Sequence, residues 1–100
     1  MIRHIVMWKM KDVAEGKTKQ ENMEWIREHL YALCPVIPEI GRMEIGFDIS
    51  GTEMSMDLVL LTEFESREAL KIYAEHPAHL AVAAYVKKVV ESRVVLDYEA

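Results

Sequence analysis

The hydrophobic pattern predicts an α+β domain of β-α-β-β-α-β order, with a four-stranded antiparallel sheet and its helices on one face. Three observations carry this. Strand-like apolar stretches stand near the start, twice in the middle and at the end. Two stretches of helical periodicity separate the first strand from the middle pair and the middle pair from the last. The first strand is apolar on both faces, which places it inside the sheet. This split βαβ order is that of the ferredoxin-like fold.

The first strand spans residues 2–10. Ile2, His4, Val6, Trp8 and Met10 point one way, and Arg3, Ile5, Met7 and Lys9 the other. His4 therefore looks into a core or cleft with Val6 and Trp8. Residues 11–17 read as a loop. Thr18-Lys19-Gln20-Glu21 has the form of a capping box and starts a helix. Met23, Ile26, Leu30 and Leu33 form its apolar stripe, with Trp25 and Tyr31 at the flanks. Asn22 falls in the first turn of what reads as a surface helix, and His29 lies off the stripe, toward solvent. Pro35 and Pro38 end the helix.

Residues 42–49 alternate cleanly, with Met43, Ile45, Phe47 and Ile49 inward. A hairpin loop through Gly51 leads to a strand over residues 56–64. Ser66 caps the next helix. Pro77 disfavours helical geometry at His76 and suits the first position of a new helix. The second helix therefore breaks there, with His76 as the cap. His79, Val82, Ala83, Val86 and Val90 share one face of the restarted helix. Residues 93–98 close the sheet, with Val94, Leu96 and Tyr98 on one face.

One hundred residues make one domain, spanning 1–100. The net charge of −5 without a basic stripe argues against nucleic acid as a partner. Charged Arg3 and Lys9 interrupt the opening apolar run, so it is not a signal peptide, and no stretch reaches membrane-spanning length. The single cysteine, Cys34, excludes an intrachain disulfide and fits a reducing, cytoplasmic compartment. In its apolar setting it reads as a small hydrophobe rather than a nucleophile. Helices on one sheet face leave Ile5 and Met7 on the other. Covering that patch calls for a homodimer packed sheet on sheet.

Two of the four histidines, His76 and His79, lie within four residues of each other. His79 sits on an apolar face in the first turn of its helix. Burial and the positive end of the dipole both favour neutral imidazole there, so His79 is a candidate general base. The commoner reading of such a residue, and the one the residues alone favour, is a core histidine bonded to a carbonyl. Tyr73 lies one helix break away and is a candidate donor to an oxygen that gains negative charge. More often such a tyrosine is a packed ring with a wet hydroxyl. His4 carries the same pair of readings.

In order and spacing, four pieces resemble the stress-responsive A/B barrel (Dabb) family of dimeric α/β barrels. They are Ile2-Arg3-His4-Ile5-Val6 with Lys9, Phe64-Glu65-Ser66, Tyr73 followed by His76-Pro77-Ala78-His79, and Val95-Leu96-Asp97-Tyr98. The resemblance covers essentially the whole chain. By the family's plant polyketide cyclase it implies that His79 is a general base, that Tyr73 holds the substrate and that His4 lines the same cleft. It also implies a further pocket tyrosine on the first helix, where this chain has Leu30; Tyr31 is adjacent but turned by about 100°. Some family structures hold a cation on carbonyls near Cys34, Ile37 and Ile40, but no metal or other cofactor is expected from these residues. The expectation is a small-molecule site for an apolar oxygenated ligand, in a cyclase-like enzyme or a non-catalytic stress-response binding module. A cofactor-independent monooxygenase ranks last, because the lone asparagine, Asn22, reads as a surface residue. Nothing around His79 or His4 is specific to a haem ligand.

Overall fold

The computed structural model describes residues 1–100. Strand β1 (Ile2–Met10) runs up the middle of the sheet, because both of its faces are apolar and both of its edges can be paired. It is followed by a two-residue ladder, β2 (Val13–Ala14) with β3 (Lys17–Thr18). Glu15 and Gly16 turn between them, both at positive φ, where only glycine is unstrained. This ladder replaces the expected open loop. Helix α1 (Lys19–Tyr31) then starts on the capping box. Glu21 N–H donates to the Thr18 hydroxyl at 3.2 Å, and Thr18 N–H donates to the Glu21 carboxylate at 2.9 Å.

Strands β4 (Arg42–Phe47) and β5 (Leu58–Phe64) form the hairpin. Each is two residues shorter at the hairpin than the pattern suggests. Ile49, expected inward, lies beyond the last β4 pair and is fully exposed. Helix α2 (Arg67–Glu75) is capped by Ser66, and α3 (Pro77–Val89) by His76, whose Nδ1 accepts from Ala78 N–H at 3.0 Å. Pro77 occupies the first turn of α3, as its missing N–H allows. Strand β6 (Val90–Glu99) starts three residues earlier than expected. Val90 thus belongs to the strand, and Val89 completes the buried stripe with Val82 and Val86.

The sheet order is β4-β5-β1-β6, antiparallel throughout. The three helices lie on one face, the ferredoxin-like arrangement. Between the layers sit Ile2, Val6, Trp8 and Met10 of β1, and Leu58, Leu60 and Phe64 of β5. Met23, Ile26 and Leu30 of α1, Tyr73 of α2 and the α3 valines meet them. Truncating a fully buried member such as Ile26 to alanine costs about 2–5 kcal/mol. Leu33 and Ile37 are buried too, in the turns after α1.

Two further positions differ from the sequence reading. Asn22 is not at the surface. It is fully buried, donating to the Ala14 carbonyl at 3.1 Å and accepting from the Tyr85 hydroxyl at 2.8 Å. Its spacing, four residues before Ile26 and eight before Leu30, puts it at the edge of the buried stripe, where β2 and α3 supply its partners. His29 is half-buried, because its ring stacks on Trp25 at 3.7 Å and its Nδ1–H donates to the Trp25 carbonyl at 2.8 Å.

The opposite sheet face carries Ile5 and Met7, which pair with Leu61 and Val59 on one side and with Leu96 and Val94 on the other. Met7, Val94, Leu96 and Tyr98 are all exposed there. Arg3 and Glu63 form an ion pair of 3.0 Å at one end of this face.

Candidate active site

An open cavity of about 1000 Å³ lies between the sheet and α3. Its floor is His4, Val6 and Trp8 of β1 with Leu60 of β5, and Leu30 of α1 and Tyr73 of α2 contribute to its walls. The remaining wall is α3 and the start of β6. Leu80, Ala83, Ala84 and Lys87 recur at helical spacing along the α3 flank. Two alanines at the centre of that flank leave room that larger side chains would fill.

His4, Tyr73 and His79 all line this one space. The break at His76-Pro77 accounts for two of them. It ends α2 just after Tyr73 and starts α3 just before His79, so the rings meet with centroids 4.4 Å apart. His4 reaches Tyr73 from the sheet at 6.3 Å, edge to face. Phe64, at 5.1 Å, backs the Tyr73 ring.

Hydrogen bonding decides which nitrogen each histidine offers. His79 Nδ1 lies 3.1 Å from the Ala74 carbonyl, which only accepts, so Nδ1 carries the proton. In neutral His79 the lone pair is therefore on Nε2. Burial pushes the His79 pKa below its ordinary value; the bond to Ala74 opposes this, and the nearby charges of His4, Arg93 and His76 reinforce it. A half-buried imidazole that is neutral at neutral pH, with one nitrogen fixed, can accept a proton at the other.

His4 is held from the opposite side. Its Nδ1–H donates to Asp97 Oδ1 at 2.5 Å. The strand register sets this pair, because His4 lies directly across from Asp97 in the β1–β6 ladder and cross-strand neighbours share a face. Asp97 was not among the residues read from the sequence as a site. Only the β6 register could find it.

Tyr73 is 1% exposed, and no protein group partners its hydroxyl. Burial pushes its pKa far above the ordinary tyrosine value, with Cys34 reinforcing and Arg93 opposing. The phenol therefore stays protonated and can donate. Leaving a buried hydroxyl unpaired costs about 1–3 kcal/mol, which a ligand oxygen would recover. Leu30, where the resemblance implies a second tyrosine, is buried on the cavity wall. Tyr31 turns away, and its hydroxyl accepts from Ile45 N–H at 3.0 Å. Asn22, though buried, does not line the cavity. Cys34 does not either, and burial raises its pKa, which suppresses the thiolate.

The profile of the Stress responsive A/B Barrel Domain matches residues 2–100. The chain belongs to this family. The A/B barrel chain is 31% identical to an uncharacterized protein of Streptomyces coelicolor, over 99% of each sequence. Its fold is that of a dimeric protein of unknown function from Bacteroides fragilis, with a TM-score of 0.88 and 31% identity over 99% of this chain and 95% of that one. A hydroxynitrile lyase from Passiflora edulis shares the fold at a TM-score of 0.82 and 22% identity, over 97% of this chain and 90% of the lyase.

Proposed function

We propose that this A/B barrel protein binds a small, apolar, oxygenated compound and removes a proton alpha to its carbonyl. One observation carries the reading: an imidazole whose Nδ1 is fixed on the Ala74 carbonyl and an unpartnered buried phenol stand 4.4 Å apart, ring to ring, on the wall of one cavity. His79 Nε2 takes the proton. The electron pair moves to the carbonyl oxygen, and the Tyr73 hydroxyl donates to the enolate that forms. His4, oriented by Asp97, positions the substrate from the sheet side. The enolate can then attack a second carbonyl, as a cyclase requires, or return to ketone.

Proton abstraction can be measured without knowing the product. Incubating the protein with 2-nonanone in D2O, and following loss of the alpha-proton NMR signals, should show exchange above the buffer rate. His79→Ala should return it to that rate. Exchange no faster than buffer, or as fast in His79→Ala, would refute the general-base role.

Leu30 favours a second reading. With no second hydroxyl on that wall, the cavity grips a polar ligand less well than a cyclase site, which suits a non-catalytic binding module. Titration of the His4 and His79 rings by ligand without exchange would select it.

The working unit under either reading is a homodimer. The exposed sheet face through Ile5, Met7, Val94 and Leu96 supplies a self-complementary apolar patch, and the Bacteroides fragilis structure is described as dimeric. A cytoplasmic setting fits the free, half-buried Cys34.

A further inference from the structure

Five arginines occur in the chain. Four are engaged by protein groups. Arg3 pairs with Glu63, Arg42 with Glu44 and Arg67 with Glu99, and Arg27 lies over the Phe47 ring at 4.7 Å. The fifth, Arg93, has no such partner, and it is the one that lines the cavity.

The register explains its position. Arg93 lies across from Trp8, as Val95 does from Val6 and Asp97 from His4. It therefore stands on the helix-side face of the sheet, next to the cavity floor. Asp97 is four residues further along the strand, about 13 Å away at the strand rise, and is already taken by His4. Glu91 is the one acid on the lining and makes no ion pair with Arg93. Lys87 and Lys88 stand on the α3 side of the same mouth, Lys88 partly engaged by Glu15 at 3.9 Å. A chain of net charge −5 thus gathers three cations against one anion at this opening. The Arg93 charge is also felt at the reacting end, where it acts on both Tyr73 and His79.

We propose that Arg93 is the carboxylate anchor of the cavity, and that the ligand is a small organic acid with an apolar body. A guanidinium presents a planar pair of donors that matches a carboxylate, which a flexible ammonium does not. The acid group is held at the mouth, the apolar body lies on Val6, Trp8 and Leu60, and the carbonyl reaches Tyr73 and His79. This names the substrate class of the site described above and rests on that reading. Arg93 acts as a specificity residue and takes no part in proton transfer.

Octanoate and octanamide differ in charge but hardly in shape. Each can be titrated into the full-length protein at pH 7 and low salt, following the ring protons of His4 and His79 by NMR. The parent should bind octanoate about tenfold or more tighter than octanamide, the scale of one charge-assisted pair at a partly exposed site. Arg93→Gln should abolish the preference for octanoate, lowering octanoate by about tenfold or more and octanamide, whose carbonyl loses only a neutral acceptor's bond, by about threefold or less. Arg93→Lys should restore part of the preference, and Lys87→Gln should weaken octanoate by about threefold or less. Equal binding of the two probes, a preference that survives Arg93→Gln, or one abolished by Lys87→Gln instead would overturn the anchor. If octanamide still moves both histidine rings, the cavity reading stands without it. If neither probe moves them, both fall.

Discussion

Replacing Tyr73 by phenylalanine should make the protein more stable and less active. The side chain is 1% exposed and packs against His79, Phe64 and His4, at centroid distances of 4.4, 5.1 and 6.3 Å. Phenylalanine keeps all of those ring contacts. What is lost is a hydroxyl with no protein partner. An unsatisfied buried polar group costs about 1–3 kcal/mol. Tyr73 borders a cavity that is open to solvent, so the lower end applies, and the gain should be about 1 kcal/mol. For a domain of this size that raises Tm by about 4–8 °C. The same change removes the only hydroxyl placed to steady an enolate beside His79, so exchange of 2-nonanone should slow by about 10²-fold. Thermal melts of parent and variant, run beside the exchange assay at equal protein concentration, separate the two effects. A variant that melts lower than the parent would mean the hydroxyl is satisfied in the folded protein. Unchanged exchange would remove Tyr73 from the chemistry.

His79 has a pKa below its unfolded value, chiefly through burial. As pH falls below about 6.5 the unfolded chain takes up that proton first. The His79 contribution to stability should therefore decline from there toward its folded pKa and level off below it. Denaturant melts of parent and His79→Gln across pH 5 to 8 (roughly the histidine range) should converge at the acid end, and ring-proton NMR of His79 should show titration below that of a free histidine. Leu96→Glu places a charge on the exposed sheet face beside Ile5 and should convert a dimer to monomer in sedimentation, with helix content unchanged by circular dichroism. Asn22→Ala removes the bonds to the Ala14 carbonyl and the Tyr85 hydroxyl, leaving the hydroxyl Lys17 Nζ at 3.5 Å, and should cost about 1–3 kcal/mol in urea unfolding.

The features legible from the chain alone are those that a few neighbouring residues decide. The Thr18–Glu21 box, the break at His76-Pro77, the two-sided β1 and the α1 stripe of Met23, Ile26 and Leu30 depend on backbone geometry and side-chain spacing within a turn or two, so they appear in the structure where the pattern puts them. The placement of Tyr73 and His79 on either side of that break is of the same kind. What the tertiary structure decided is everything set by a distant partner. Asn22 stands four residues before Ile26 and eight before Leu30, so its spacing already put it at the edge of the buried stripe. What only the tertiary structure supplied is the pair of partners, Tyr85 and Ala14, that lets an amide lie there. His29, off the stripe, is taken from water by stacking on Trp25. Ile49 has the alternation of a strand residue and yet no strand opposite it. Asp97 and Arg93 become part of the cavity neighbourhood only because β6 pairs with β1 in one register, which puts them across from His4 and Trp8. A shift of a single residue would have turned both to the other face of the sheet. Local periodicity says which side of an element is apolar; which residues meet across elements is set by pairing between segments some ninety positions apart, and no local pattern encodes it.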